Sequence, residues 1–302
     1  MKKHYKVKVG HYRGKRSTFH MLKGTLWSDL TFSWFADIHS FWAVFFSRVF
    51  KKKSIVVVGG YDAAKVPEMN YGLALSPVLY HFAKYALKKA DRVLTVDESL
   101  KKDIIKNYEV SGKNIVTVPT GYDPGFWKLN RKKEELVLSI SQINPLYIKI
   151  KGIEAFIQCA SYFPETKFVV AGPSEKKSLI RLRAMSPPNV IFSGHIPKHE
   201  LPGWYSRAKV YCQFSRSAGL PNTLCEAMLC ECIPVGTPYG GIPTAIGNTG
   251  YYVPYGDVHA TVAAIRKALQ SQNGKKARER IKKLFLLEKR DNKLIQIIEK
   301  II

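Results

Sequence analysis

The sequence has few acidic side chains for its number of basic ones. Its 302 residues include 48 lysines and arginines but only 23 aspartates and glutamates, so the formal net charge is +25. No Asp-x-Asp pair occurs anywhere in the chain, so a divalent-metal site of that kind lacks its usual ligands. We therefore expect no metal and no cofactor. A balance this basic implies an anionic partner, and nucleic acid, an acidic membrane surface and a nucleotide diphosphate all qualify.

Long apolar runs and secretory features are also missing from the sequence. No uncharged apolar run approaches the roughly 18–20 residues that a membrane span needs. The five cysteines are an odd number with no secretory signal before them, which is typical of reduced cytosolic thiols. Cys225, Cys230 and Cys232 are conceivable metal ligands, but their spacing matches no common zinc pattern, so we expect core positions. We predict a cytoplasmic protein, with peripheral attachment to the cytoplasmic face of a membrane as an open alternative.

The chain is long enough for two domains, and its composition of 46% apolar and 24% charged residues is that of a globular protein. From residue 135 onward, strand and helix patterns alternate regularly. The predicted strands are 135–140, 167–172, 189–194, 209–215, 232–237 and 250–253, and the predicted helices are 152–162, 175–184, 198–207, 222–230 and 257–270. This alternation predicts a parallel sheet covered on both faces, whose ligands lie beyond the carboxyl ends of the strands.

The segment 215–228 is the most informative stretch of the chain. Gly219 follows a predicted strand and lets the backbone approach a ligand closely, and Pro221 suits the first position of a helix. The free N–H groups and positive end of that helix favour an anion. Glu226 lies about one and a half turns into the helix, where its carboxylate can accept hydrogen bonds from ribose hydroxyls. The segment therefore predicts a nucleotide-diphosphate site.

The residues in and after this segment resemble a known family. Gly-Leu-Pro-Asn-Thr-Leu-Cys-Glu-Ala-Met at 219–228 is followed by Ile-Pro-Val at 233–235, Gly-Gly-Ile-Pro at 240–243 and Gly-Tyr-Tyr-Val-Pro-Tyr-Gly-Asp at 250–257. This combination is similar to the donor half of the retaining glycosyltransferases of family 4, which have the GT-B fold. The resemblance implies an α/β architecture with two Rossmann-like domains, each a parallel sheet covered by helices, that face each other across a cleft.

The resemblance also implies which residues meet the diphosphate. Lys151, in a Lys-Ile-Lys-Gly sequence, matches the family's phosphate-binding lysine, although a solvated lysine at a helix start is the alternative. The family's companion arginine aligns with Gln142, so one positive charge is missing. Lys149 and Arg216 are the candidates to replace it. Stabilisation of the leaving diphosphate by lysine and a helix terminus fits a reaction without metal.

The family usually carries Glu-x7-Glu in this region, and here the first glutamate is replaced by Ala218. In relatives the first glutamate contacts the donor sugar and the second, Glu226 here, holds the nucleotide ribose. The backbone N–H groups at 218–220 would survive the change, so nucleotide binding is better supported than rapid transfer. The further donor-binding candidates are Gly60, Gly172, His195, Gly219, Leu220, Asn222 and Thr223, and His195 is equally well explained as a loop residue without a role.

The predicted first domain, 1–125, resembles a shortened acceptor half of the family. Its predicted strands are 5–9, 29–35, 54–62, 91–96 and 114–119, and its predicted helices are 38–50, 77–90 and 98–107. The strand at 54–62 resembles one that ends in His-Gly-Tyr-Asp in the family. Here Gly59 replaces the histidine and its donor-sugar contact, whereas Asp62 remains as a catalytic candidate together with Lys151 and Glu226. Capping of the next segment is an equally good explanation of Asp62.

Two basic segments of the first domain admit more than one interpretation. The segment 11–16 is either a loop that meets the acceptor or a phosphate, or a solvated loop, and we favour the second. The aromatic, basic helix at 38–50 has the composition of an interfacial membrane helix, but aromatic residues at helical spacing are more often part of a core. The predicted donor domain is 126–273, and 274–302 is predicted to be an amphipathic helix that docks across both domains.

These observations lead to three interpretations of function. The first is a retaining, metal-independent glycosyltransferase that moves a sugar from a nucleotide sugar based on UDP or GDP to a glycan, lipid or small-molecule acceptor. The second is a catalytically weak or inactive relative that binds a nucleotide sugar or glycan. The third is a basic nucleic-acid-binding protein. No helix-turn-helix, finger or oligonucleotide-binding pattern occurs, so nucleic acid is the least expected partner.

Overall fold

The protein folds into two units, each built on one parallel β-sheet. The computed structural model describes residues 4–10 and 17–302. One unit is the segment Tyr122–Leu286, and the described residues on either side of it form the other. The predicted boundary at 125 falls close to the first division, whereas the predicted boundary at 273 does not coincide with the second.

All strand pairings in the two sheets are parallel. The strands, in chain order, are β1 (Leu30–Trp34), β2 (Lys53–Val58), β3 (Arg92–Thr95), β4 (Ile115–Thr117), β5 (Glu134–Ile140), β6 (Lys167–Ala171), β7 (Val190–Gly194), β8 (Ala208–Gln213), β9 (Ile233–Gly236) and β10 (Tyr251–Tyr252). The first sheet has the order β1-β2-β3-β4 and the second the order β10-β9-β8-β5-β6-β7. The chain order of the second sheet reverses between β5 and β8, and such a switch point is where open α/β sheets bind ligands.

The strands are connected mainly by helices. The helices, in chain order, are α1 (Ser17–Trp27), α2 (Ile38–Val49), α3 (Pro77–Lys89), α4 (Glu98–Tyr108), α5 (Pro145–Ile150), α6 (Ile153–Ala160), α7 (Lys176–Ala184), α8 (Leu201–Arg207), α9 (Asn222–Leu229), α10 (Ile242–Ile246), α11 (Val258–Gln270), α12 (Gly274–Leu284) and α13 (Leu287–Glu299). Short 3-10 helices lie at Pro67–Met69 and Leu73–Leu75. Asp37, Ser76 and Asp97 cap α2, α3 and α4, because their side chains accept N–H bonds from the first turn.

Both sheets form the centre of a hydrophobic core. Ile55, Val56, Val57 and Val58 of β2 are completely buried, as the run of β-branched residues predicts for a strand covered on both faces. In the second unit, strands β5, β6, β8 and β9 pack against α6 and α11 in one buried cluster. Each fully buried side chain of this size contributes about 1.5–3 kcal/mol. The predicted α/β class, with parallel sheets covered by helices, is confirmed.

Several predicted elements differ from the structure. The strand predicted at 5–9 does not form, because an alternating pattern becomes a strand only where another strand pairs with it, and the described residues provide no such pairing. Helix α1 was not predicted, since Gly24 and two threonines weaken its helical pattern. The helix predicted at 152–162 forms as α6, and the short helix α5 before it was not predicted. The tail 274–302, predicted as one helix, forms two helices, and each belongs to a different unit.

The two tail helices are fixed by arginines that donate to backbone carbonyls. In the second unit, Arg278 donates to the carbonyls of Trp127, Leu229 and Pro124. In the first unit, Arg290 of α13 donates to the carbonyls at the end of β4, at positions 118 and 119. These carbonyls would otherwise lack donors, so the basic tail has a structural role as well as a surface charge.

All five cysteines are buried and none forms a disulfide, in agreement with the predicted core positions. Among the residues that the structure describes, no helix combines the length and apolar character needed to span a bilayer.

Candidate functional site

The loops after the strands of the second sheet are joined to one another by backbone contacts. The N–H of Ser141, after β5, donates to the carbonyl of Ala171 at 2.9 Å, and the N–H of Gly172, after β6, donates to the carbonyl of Gly194 at 2.8 Å. The hydroxyl of Thr237, after β9, donates to the carbonyl of Ser215, after β8, at 2.5 Å. The segments predicted at the carboxyl ends of these strands therefore do form one edge of the second unit.

Lys151 lies at the break between α5 and α6, beside the loop that follows β8. The break is made by Gly152, whose φ of 63° is left-handed and whose added Cβ would lie 2.7 Å from the carbonyl oxygen of Phe214. On the other side of Lys151, the carbonyl of Ile150 accepts the N–H of Arg216 at 2.9 Å. Both neighbours of Lys151 thus contact the same loop, which fixes the lysine beside it.

The ammonium group of Lys151 is half-buried and has no charged or polar partner. Within residues 4–10 and 17–302 it forms neither a hydrogen bond nor an ion pair. Removal from water lowers its pKa to about 8, because no neighbouring acid compensates the lost hydration. A cation that is desolvated without a counter-charge in the protein is suited to an anionic ligand.

The loop at 218–220 presents three backbone N–H groups without protein partners. In the described part of the chain, the N–H groups of Ala218, Gly219 and Leu220 donate to no acceptor. The carbonyl of Ala218 accepts the N–H of Gly241 at 3.3 Å, and a Cβ at Gly240 would lie only 1.9 Å from that carbonyl oxygen. The glycine turn therefore packs directly on the loop. Because a buried N–H normally has a partner, this loop is a candidate for binding the oxygens of an anion.

Helix α9 follows this loop and begins without a side-chain cap at Pro221. The side chains of its first two residues are engaged within the protein. The side-chain oxygen of Asn222 accepts a hydrogen bond from the hydroxyl of Tyr122 at 2.8 Å, and the hydroxyl of Thr223 donates to the side-chain oxygen of Gln213 at 3.4 Å. These two candidates therefore contribute the N–H groups of the first helical turn, at the positive end of the helix dipole.

Glu226 lies in the second turn of α9 in a partly buried position. Its Oε2 accepts a hydrogen bond of 3.1 Å from the hydroxyl of Tyr205, a completely buried residue of α8. Burial raises the pKa of Glu226 to about 7, although the Tyr205 hydrogen bond and the charge of Lys198 oppose the rise. The remaining acceptor capacity of the carboxylate is available to a ligand hydroxyl.

The remaining candidates of the second unit contribute less to this arrangement. The guanidinium of Arg216 lies 4.3 Å from the ring centroid of Tyr239, which holds its charge near the loop after β8. Lys149 is exposed, and its carbonyl accepts the hydroxyl of Tyr255. Gln142 and His195 are exposed at the ends of β5 and β7, and in the described residues neither side chain forms a hydrogen bond.

Asp62 belongs to the first unit and has a different environment from the one predicted. Its buried carboxylate accepts the N–H groups of Gly60 at 2.8 Å, Ala36 at 3.0 Å and Gly59 at 3.1 Å. Burial raises the pKa of this carboxyl, and the hydrogen bonds counteract the rise. The predicted catalytic role conflicts with this geometry, because the oxygens are already used by the backbone. The carboxylate does not cap the next segment either, because the N–H groups that it accepts all precede it in the chain, and the N–H of Gly60 is one of them.

Sequence reasoning missed two residues of the candidate site, Tyr205 and Lys198, and it marked Tyr239 only as part of the segment 239–241 at the ligand edge. Tyr205 and Lys198 act on Glu226 from more than 20 positions away, so no local pattern marks them. Tyr239 precedes the glycine pair at 240–241, and its place in that motif was the available signal. The predicted loop 11–16 lies outside the described residues.

Known proteins resemble this chain in sequence and in fold. The family model described as "Glycosyl transferases group 1" matches residues 125–284. Among curated proteins, the capsular polysaccharide biosynthesis glycosyltransferase CapM of Staphylococcus aureus is 27% identical over 69% of this chain and 61% of its own length. One component of the phosphatidylinositol N-acetylglucosaminyltransferase of Arabidopsis thaliana is 22% identical over 75% of this chain and 53% of its own length. The chain thus matches little more than half the length of these two relatives.

Solved structures share the fold at low sequence identity. HepE of Anabaena, in complex with UDP-glucose, superposes with a TM-score of 0.81 and 13% identity, covering 94% of this chain and 82% of HepE. The sucrose-phosphate synthase of Thermosynechococcus elongatus superposes with a TM-score of 0.77 and 17% identity, covering 93% and 76% of the two chains. These likenesses confirm the predicted GT-B fold class.

Proposed function

The chain belongs to the glycosyl transferases group 1, and from this premise we propose that it transfers a sugar from a nucleoside-diphosphate donor to an acceptor. The matched residues 125–284 make up almost all of the unit Tyr122–Leu286, which carries the candidate site. Membership of family 4 and a retaining outcome are part of the proposal, on the strength of the motifs between 219 and 257.

The observation that carries the proposal is the row of unpaired N–H groups at Ala218, Gly219 and Leu220 beside the uncapped start of α9. Such groups bind phosphate oxygens at a helix N-terminus. Lys151 adds a positive charge beside the same loop and lacks a protein counter-charge. One ligand that satisfies all of these groups is a diphosphate.

The same groups suit the departure of a nucleoside diphosphate. As the bond between the sugar and the diphosphate breaks, negative charge builds up on the diphosphate oxygens. Fixed N–H dipoles and an ammonium group with a pKa of about 8 stabilise that charge, and they require no metal to do so. Glu226 accepts hydrogen bonds from the ribose hydroxyls and thereby positions the nucleotide.

Ala218 bears on the rate of the proposed reaction. Its carbonyl is held by the glycine turn, while its methyl group provides no acceptor for a sugar hydroxyl. An interaction between a hydroxyl and a charged group contributes about 1.5–3 kcal/mol. If relatives use such an interaction in the transition state, its loss corresponds to roughly a ten- to hundredfold lower rate. The second candidate function, a relative that binds a nucleotide sugar with little transfer, follows from this residue.

UDP and the sugar donor UDP-glucose are the first ligands to test, because both occur in complexes of HepE. We expect UDP to raise the melting temperature more than UMP, since the second phosphate meets the N–H groups and Lys151. Lys151→Ala should reduce the difference between UDP and UMP to the part that the N–H groups contribute. Lys267→Ala, at an exposed lysine near the end of α11, should preserve it. The proposed site is wrong if neither UDP nor GDP stabilises the wild-type protein.

We propose that the acceptor is a glycan or a lipid, which accords with the name of CapM.

We also propose that a surface of the first unit contacts an anionic membrane. On α1, Phe19, Leu26 and Trp27 are exposed. Lys23 lies 4.5 Å from the Phe19 ring centroid, and Lys6 lies 5.9 Å from that of Trp27. Exposed aromatic side chains next to lysines suit the interface of an anionic bilayer.

Vesicle sedimentation tests this surface directly. Vesicles that contain phosphatidylglycerol should pellet the protein, pure phosphatidylcholine vesicles should not, and salt should release it. The double variant Phe19→Ser with Trp27→Ser should stay in the supernatant, whereas Ile180→Ser, at an exposed apolar residue of the second unit, should pellet like the wild type. Equal pelleting of both variants would exclude α1 as the contact.

A further inference from the structure

Phe35 has an unusual backbone conformation at the carboxyl end of β1. Its φ of 68° is in the left-handed region, which a bulky side chain rarely adopts. The residue directly follows β1 and precedes the cap of α2, so it lies at the edge where parallel sheets bind ligands. A strained residue at such an edge is a reason to look for a function.

The surrounding structure fixes this conformation on both sides. The N–H of Phe35 donates to the carbonyl of Val57 at 2.8 Å, and its carbonyl accepts the hydroxyl of Ser40. The next N–H, that of Ala36, donates to the buried carboxylate of Asp62 at 3.0 Å. Because Asp62 also accepts the N–H groups at 59 and 60, it ties the end of β1 to the end of β2. The position of Phe35 is therefore determined by the fold and not by its own preference.

The Phe35 ring lies against the backbone of Gly59 and is nevertheless half exposed. A Cβ added to Gly59 would be 2.8 Å from Cε1 of the ring, so the contact depends on the absence of a side chain there. The side chain of Phe35 remains 51% exposed, and the ring centroid of Trp34 is 6.2 Å away. One part of the ring thus rests on rigid backbone while another is open to solvent.

We propose that the Phe35 ring is a stacking surface for the apolar face of a pyranose ring. The inference rests on the proposed glycosyltransferase function, because that function places sugars at the carboxyl edges of the sheets. A rigid aromatic side chain covers the C–H groups of a sugar face at a low cost in conformational entropy, since the structure has already ordered it. The pyranose that we assign to this surface is one of the acceptor glycan.

Three variants separate stacking from a structural role. Phe35→Asn removes the ring but tolerates the left-handed backbone, so the turn should keep its conformation. Phe35→Tyr retains an aromatic face and should retain binding. Gly59→Ala leaves the ring in the protein but displaces it, because the new Cβ needs the space of Cε1. Phe50→Ala, at a ring that is 37% exposed at the other end of α2, is the matched control.

Saturation-transfer NMR measures the binding, with maltotriose and cellotriose as the acceptor probes. Phe35→Asn and Gly59→Ala should weaken the trisaccharides by about tenfold, the upper end of one aromatic contact. UDP affinity, measured by calorimetry, should stay unchanged in all variants, because its proposed site lies in the second unit.

The result that overturns the proposal is wild-type trisaccharide binding by Phe35→Asn, or no trisaccharide signal from the wild-type protein. A loss in Phe35→Asn and Gly59→Ala, with Phe35→Tyr and Phe50→Ala unchanged, supports the stacking surface. If UDP fails to bind the wild-type protein, the proposed nucleotide site fails, but the trisaccharide measurement still decides the role of Phe35.

Discussion

Replacement of Glu226 by glutamine should make the protein more stable at neutral pH and weaker in nucleotide binding. Glutamine has almost the same shape as glutamate and can still accept the hydroxyl hydrogen bond of Tyr205. It carries no charge, so it avoids the cost of keeping an ionised carboxylate in a partly buried position. The substitution therefore separates the electrostatic cost of this residue from its packing.

The size of the effect follows from the raised pKa. The pKa of Glu226 rises from 4.5 to about 7 on folding. Below pH 4.5 the carboxyl is protonated in the folded and the unfolded protein, so its burial carries no charge penalty. Between pH 4.5 and 7 the folded state binds the additional proton, and the free energy of unfolding falls as the pH rises. Above pH 7 the penalty is complete and corresponds to about 3 kcal/mol at ~1.4 kcal/mol per pH unit.

Urea unfolding at pH 4.5 and pH 8 measures this difference. We expect Glu226→Gln to match the wild type at pH 4.5 and to exceed it by up to about 3 kcal/mol at pH 8. Glu165→Gln, at an exposed carboxylate, should change the free energy of unfolding at neither pH. In calorimetry at pH 8, Glu226→Gln should weaken UDP by roughly ten- to hundredfold, because a ribose hydroxyl then lacks a charged acceptor.

The reasoning is refuted if the stability difference between Glu226→Gln and the wild type is the same at pH 4.5 and pH 8. It is also refuted if the variant gains stability at pH 8 and binds UDP as tightly as the wild type. In the first case the carboxylate is not desolvated, and in the second it does not contact the ribose.

Three further predictions concern lysines and the missing glutamate. The affinity for UDP, measured by calorimetry, should fall as the pH rises past about 8, because Lys151 loses its charge there. Lys151→Arg should show no such fall, because arginine stays protonated. Ala218→Glu should raise the hydrolysis of UDP-glucose at least several-fold. If both proteins bind UDP but hydrolyse no nucleotide sugar, the binding interpretation replaces the enzyme. Lys133 donates hydrogen bonds to three carbonyls at the ends of α8 and α9. Lys133→Met should therefore lower the free energy of unfolding by about 3 kcal/mol in urea titrations. Lys132→Met, at the exposed neighbour, should change this free energy little.

Elements with local signals could be predicted from the order of their residues. The apolar run before Gly219, the glycine and Pro221 predicted a strand, a loop and a helix start, and β8 and α9 have those positions. The alternation after residue 135 predicted the second sheet, because buried parallel strands and amphipathic helices each leave a periodic trace in the residues that form them. The motif resemblance likewise predicted a glycosyltransferase, and the family match at 125–284 confirms that broader assignment.

Tertiary structure alone decided the environment of the individual side chains. Asp62 follows a strand at a ligand edge, as a catalytic acid would, yet backbone N–H groups from two loops occupy its oxygens. Glu226 acquires its raised pKa from burial and its partner from Tyr205, 21 positions earlier in the chain. The strand predicted at 5–9 failed for the same reason, since pairing requires a neighbour that no local pattern specifies. Burial, hydrogen-bond partners and strand pairing depend on residues distant in sequence, and only the folded chain brings those residues together.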